Sequence, residues 1–154
     1  MKIGIIVHSH TGNTLQVAEK IREALAAQGH TAELERVRAD KEGQAASGKI
    51  TLLEAPDADP YDVILFGAPV QAFSLSPVMK TYLAGLPSLK GKRVGCFVTQ
   101  RLLKPWMGGN RAVKQIFQFC KDKGADISES GIVHWSDKSR ESRIADVASK
   151  LARV

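Results

Sequence analysis

Residues Ser9, His10, Thr11, Gly12, Asn13 and Thr14 place three hydroxyls, an amide and an imidazole around one glycine, with no acid among them. They follow the apolar run IGIIV and precede an apolar stripe of helical period, so they stand where a strand hands over to a helix. The first N–H groups of such a helix have no partner within it, and its dipole favours negative charge there. Gly12 lets the backbone approach a ligand closely, the side chains add donors, and no carboxylate repels a phosphate. Lysine and arginine are absent as well, so an anion held here is held by dipoles and hydroxyls rather than by ion pairs. The same residue types also suit a plain helix N-cap, which needs no ligand. Two other phosphate loops are excluded. The segment lacks the Gly-Lys-Ser/Thr ending of a triphosphate loop and the three spaced glycines of a dinucleotide loop.

Other candidate chemistry is sparse. His8 and His10 adjoin or enter the loop, and either could donate to a phosphate, but neither has a carboxylate partner nearby in sequence. His10 is expected to face solvent. His30 follows the first helix and His134 lies near a strand end. No His, Cys, Asp or Glu grouping has metal spacing, and Ser9 has no base and acid companions for nucleophilic catalysis. Cys96 and Cys120 fall in different elements and read as buried free thiols, with a redox pair as the lesser alternative.

The elements that must position the loop follow from the apolar pattern. Short buried runs at 2–7, 31–37, 61–69, 92–100 and within 125–135 read as strands. Helical periods occupy 13–28, 76–86, 110–124 and 139–153. Val17, Ala18, Ile21, Ala24 and Leu25 share one side of the first helix, and Gly29 stops it. Ser76 followed by Pro77 is a helix-opening pair. Residues 38–49 read as a polar loop and 50–56 as a short extension or irregular crossing. A crossover is expected across 38–60, yet no helical pattern is found there. Strands separated by helices predict parallel pairing with right-handed crossovers and helices on both faces. In such a sheet, ligands gather beyond the carboxyl ends of the strands, where the loop 8–14 lies.

SHTGNT, Ser9 to Thr14, resembles the phosphate-binding signature of the flavodoxins: Ser or Thr, any residue, then Thr-Gly-Asn-Thr. Every specified position matches. GAPVQAFSLSPVMKTYL (67–83) is similar to the second flavin loop and its helix, and TQRLLKPWMGGNRAV (99–113) stands where the third would be. The resemblance implies an α/β fold, a doubly wound five-stranded parallel sheet in the order 2-1-3-4-5 with helices on both faces, as a single flavodoxin-like domain over 1–154. It implies FMN as cofactor, with Ser9 through Thr14 around the phosphate. Pro69, Val70, Gln71, Ala72 and Phe73 would border the ring, and Thr99, Gln100, Trp106, Gly108 and Gly109 would form the third loop. Phe73 could equally be a plain core or surface contact. Trp106, on a loop with Pro105 and two glycines, could stack on flavin, lie over a substrate or pack at a subunit boundary.

The sequence departs from the acidic electron carriers of that family. Its third loop and following helix carry Arg101, Lys104, Arg111 and Lys114, with no acid between Arg93 and Asp122, and its second loop has no glycine from Val70 through Pro77. The net charge of +6 is unevenly spread: residues 1–77 hold 7 basic against 10 acidic side chains, residues 78–154 hold 15 against 6. A basic half suits an acidic partner or a phosphorylated substrate. No nucleic-acid motif is present, so nucleic acid is not expected as a partner. No apolar run reaches membrane-span length, and the start lacks a secretory signal's features, so a cytoplasmic location is expected. The expectation is an FMN-binding protein mediating electron transfer with a redox partner protein or NAD(P)H. The alternatives are an FMN-dependent NAD(P)H reductase acting on a quinone or flavin and a non-redox binding module. Whether the chain is an enzyme stays open.

Overall fold

A computed structural model describes residues 1–42, 48–101 and 104–153. Its centre is β1 (Ile3–Val7), five residues buried on both faces. β1 pairs in parallel with β2 (Ala32–Arg36) on one side and with β5 (Val63–Gln71) on the other. β5 in turn pairs with β7 (Arg93–Gln100), and β7 with β8 (Asp126–His134), again in parallel. Counting these five strands in chain order gives 2-1-3-4-5, the expected doubly wound sheet.

Strand periodicity divides the core in two. Ile3, Ile5 and Val7 face α1 (Asn13–Ala27) and α4 (Arg140–Leu151), packing with Val17, Ile21, Ile144 and Val147. Ile6, Ile64 and Phe66 face α2 (Pro77–Ala84) and α3 (Gly109–Asp122), packing with Met79, Leu83 and Ile116. Such double burial explains why the strands read as continuous apolar runs. The Ser-Pro pair opens α2 as expected: Ser76 Oγ accepts the Met79 N–H at 3.3 Å, and Pro77 fills the first helical position. Cys96 and Cys120 are free, buried thiols in the second core, and burial raises both above the ordinary thiol value.

The segment 38–60 contains no helix among its described residues. β3 (Arg38–Ala39) and β4 (Leu52–Glu54) form a small antiparallel pair instead. The Asp40 N–H donates to the Thr51 carbonyl at 2.9 Å, and Asp40 Oδ1 accepts the Thr51 N–H at 2.9 Å. Pro56 and Pro60 disfavour a helix in the return path, and Tyr82 Oη holds that path by donating to the Pro56 carbonyl. Residues 43–47 of the polar loop lie outside the described residues. At the other end of the sheet, β5 runs two residues past the expected 69. It folds back as an antiparallel hairpin with β6 (Ser74–Leu75), turning at Ala72 and Phe73. No helix among the described residues is long and apolar enough to cross a membrane.

Candidate functional site

The carboxyl ends of β1, β5, β7 and β8 converge on one cavity of about 640 Å³, within the range of small-molecule and cofactor sites. The first wall is the loop into α1. His10, Thr11 and Asn13 line it, His10 and Thr11 being exposed. Gly12 adopts the left-handed conformation, φ 93°, at the helix N-cap, which a glycine tolerates without strain. Ser9 is buried, and its Oγ accepts the N–H of Gly12 at 3.2 Å and of Leu15 at 3.3 Å. Thr14 is buried too, its hydroxyl 2.9 Å from that of Thr99, which ties the start of α1 to the end of β7. Among the described residues, no protein acceptor meets the N–H of Thr11, Asn13 or Thr14.

The second wall is the β5–β6 hairpin. Pro69, Val70 and Gln71 line the cavity. Gln71 is buried, and its Oε1 has no hydrogen-bond partner among the described residues. Ala72 and Phe73 form the tip, outside the cavity lining, with φ 52° and 59°, values that non-glycine residues rarely adopt. Phe73 is 61% exposed there. The third wall follows β7. Thr99 and Gln100 line the cavity, and the Gln100 amide donates to the Lys104 carbonyl at 2.7 Å. Trp106 lies in a 3-10 turn (Pro105–Met107) and is 72% exposed, not in the cavity wall. Gly108 and Gly109 are buried behind it. A Cβ on Gly108 would stand 2.5 Å from Val70 Cγ1 and 2.9 Å from Phe73 Cα, so this glycine lets the third loop close on the hairpin. Gly109 sits equally close to the Gln100 side chain.

Two cavity residues lie beyond the sequence-based assignment. Arg101 lines the mouth. Trp135, just past the carboxyl end of β8, lines the far wall. The Arg140 guanidinium lies 4.5 Å from its ring centre and donates to its carbonyl at 2.8 Å. The rule that directs attention to strand ends applies to β8 as to the others, and it would have found Trp135.

His8 corrects an expectation. It does not reach toward a phosphate; it is fully buried, and it has a carboxylate partner 34 residues away. Nε2 meets the Glu42 carboxylate, and Nδ1 lies 2.9 Å from Ser76 Oγ. Burial pushes the imidazole below its ordinary value of 6.5; the Glu42 carboxylate opposes that shift, and His10 and Arg36 reinforce it. Arg36 also donates to the Ser9 carbonyl at 3.3 Å. Among the described residues no group of three or more His, Cys, Asp or Glu side chains could hold a metal.

The sheet order, the helices on both faces and a cleft at the strands' carboxyl ends define a flavodoxin-like α/β fold. The comparisons with solved structures agree on that fold, with matches covering 96–99% of this chain. It is similar to the oxidised flavodoxin 2 of Bacillus cereus (21% identity, 99% of this chain and 97% of that one, TM-score 0.69). It is similar also to the two-electron reduced flavodoxin of Megasphaera elsdenii (25% identity, 99% of both chains, TM-score 0.67). A third likeness is to a flavoprotein of Lactobacillus acidophilus in complex with FMN (20% identity, 96% of this chain and 98% of that one, TM-score 0.61). No family model matches the chain, and no curated protein matches it.

Proposed function

We propose that the chain binds FMN in this cavity and mediates electron transfer. The observation that carries the reading is the mouth of α1, where amide hydrogens without a protein acceptor sit beside a cavity lined by Thr11 and Asn13. That arrangement suits a phosphate. Gln71 supports the fit independently, because its buried amide oxygen lacks a donor, and a flavin ring carries polar N–H groups. The likeness to a flavoprotein holding FMN supports the same ligand. Bound FMN would supply reversible electron transfer, while the protein supplies position and electrostatics. The loop Ser9–Thr14 would hold the phosphate. The backbone and side chains of Pro69, Val70 and Gln71 would border the ring on one side and those of Thr99 and Gln100 on the other. Ala72, Phe73, Trp106, Gly108 and Gly109 would shape the rim.

Titrating the purified chain with FMN tests this. Saturable binding of one FMN per chain, with quenched flavin fluorescence, is expected. A flat titration would falsify the reading and leave a non-redox module with the same fold.

The second reading, an NAD(P)H reductase, draws on Arg101 in the cavity wall and on exposed Lys104, whose carbonyl accepts from the cavity residue Gln100. A basic mouth suits the phosphates of a nicotinamide cofactor as well as an acidic redox protein. Anaerobic addition of NADPH to the FMN-loaded chain separates the two. Bleaching within seconds without a helper reductase favours the enzyme, and persistent colour favours the carrier.

A further inference from the structure

We propose that Glu42, His8 and Ser76 form a positioning chain for the phosphate loop, and that the β3–β4 excursion serves to deliver its carboxylate. This rests on the FMN reading above.

A fully buried imidazole needs a partner at each nitrogen, and His8 has both. A carboxylate only accepts, so in the neutral ring Nε2 carries the hydrogen and gives it to Glu42. Nδ1 is then an acceptor, and the Ser76 hydroxyl donates to it at 2.9 Å. The same Ser76 oxygen accepts the Met79 N–H at the start of α2. On the far side, the other Glu42 oxygen accepts the Ala39 N–H at 3.1 Å, which anchors the carboxylate to β3. Every donor in this sequence meets an acceptor, and the roles agree from Ala39 through to Met79.

The chain ties the residue that precedes the phosphate loop to β3, β5 and the start of α2. His8 directly precedes Ser9, and its N–H donates to the Gly67 carbonyl in β5 at 2.9 Å. Ser76 joins the hairpin to α2, and its N–H donates to the Pro69 carbonyl at 3.2 Å. Glu42 comes from the segment that replaces the missing crossover helix. Burial is the main reason the ring favours its neutral form; Glu42 opposes that preference, and His10 and Arg36 add to it. A carboxylate, an imidazole and a serine in line also suggest a nucleophile. Ser76 is wholly buried beneath the hairpin, however, and no substrate reaches it. The arrangement holds a loop in place and does not attack a bond.

The experiment compares FMN with riboflavin, which lacks the phosphate, for the wild-type chain and for E42A, E42Q and H8Q at pH 7.5. Glu42 has a part-exposed side chain, so E42A is a mild truncation, and thermal melts of each ligand-free variant check the fold. E42A and H8Q are expected to weaken FMN by roughly tenfold or more. Riboflavin should change by less than about threefold. E42Q, whose single amide oxygen can accept from Nε2 only by turning its NH2 toward the Ala39 N–H, should recover part of the loss and no more. General destabilisation would weaken both flavins alike. Equal losses for both flavins, or an E42A affinity for FMN within about twofold of wild type, would overturn the positioning role while leaving the FMN reading intact. A wild-type chain that binds neither flavin would overturn that reading, and this role with it.

Discussion

Gln71 sits at the end of β5 with a buried amide oxygen that no donor meets among the described residues. An unmet buried acceptor destabilises a fold by about 1–3 kcal/mol, so the residue costs stability unless something else uses it. Gln71→Met keeps the length and removes the polar oxygen. The ligand-free variant is expected to be as stable as wild type or more stable by up to about 1 kcal/mol, read from urea midpoints. Its FMN affinity should fall about tenfold. An unchanged affinity would place the side chain away from the ligand. His8 makes a second prediction at this scale. Its folded value lies below the 6.5 of an unfolded histidine, so between those two values the unfolded chain holds the extra proton. Stability is therefore fully present above pH 6.5 and is lost as pH falls through that window, by at most about 1.4 kcal/mol per pH unit. Urea midpoints of wild type should drop between pH 7.5 and 5, and H8Q should show a shallower slope over the same range.

Between elements, the site depends on how closely the third loop meets the β5–β6 hairpin. Gly108 has φ 120°, and a methyl group there would press on Val70 and on the Phe73 backbone. Gly108→Ala is expected to cost about 2 kcal/mol or more through backbone strain and overpacking, and to lower the melting temperature accordingly. The opposite change is available at the hairpin tip. Ala72 holds a left-handed conformation, so Ala72→Gly should stabilise the chain by about 1 kcal/mol. A drop in melting temperature for that variant would mean that the alanine methyl makes contacts worth more than the strain it imposes. Both features show where the sequence was legible and where it was not. The five parallel strands and four helices could be read because each buries an apolar face of fixed period, and the Ser76–Pro77 start of α2 carries a local chemical signal. The hairpin could not be read. Its tip uses Ala72 and Phe73 at positive φ, where sequence patterns look for glycine or asparagine. Of the β3–β4 pair, β4 falls within the possible extension at 50–56, whereas β3 was hidden, because a strand of two residues leaves no period to detect. The loop Ser9–Thr14 was visible as a contiguous motif, whereas the His8–Glu42 contact joins residues far apart in sequence through tertiary packing alone. Trp135 was legible in principle, since it directly follows a strand with a readable apolar run, but no loop motif marks it.

Across the whole molecule, charge is divided along the chain, and the sheet brings part of the basic half to the cavity. The acidic half contributes β1, α1, β2 and β5; the basic half contributes α2, β7, α3, β8 and α4. Among the described residues, no ion pair engages Arg101, Lys104, Arg111 or Lys114. All four are exposed, and Arg101 lines the cavity mouth. Fully reduced flavin carries a negative charge near neutral pH, so uncompensated cations beside it favour reduction by Coulomb attraction, and salt screens that attraction. The double variant R101E/K104E is expected to lower the two-electron midpoint potential of the bound flavin by roughly 20 mV per reversed charge at low ionic strength. The difference from wild type should shrink as salt rises toward about 0.5 M, because the Debye length then falls to a few ångström. Potentiometric titrations of both proteins at two salt concentrations measure it. A shift that salt does not diminish would point to a changed loop conformation rather than to the field of the cations. Equal potentials at every ionic strength would assign Arg101 and Lys104 to solvent and to partners, and would leave the flavin's potential to the neutral groups of the cavity wall.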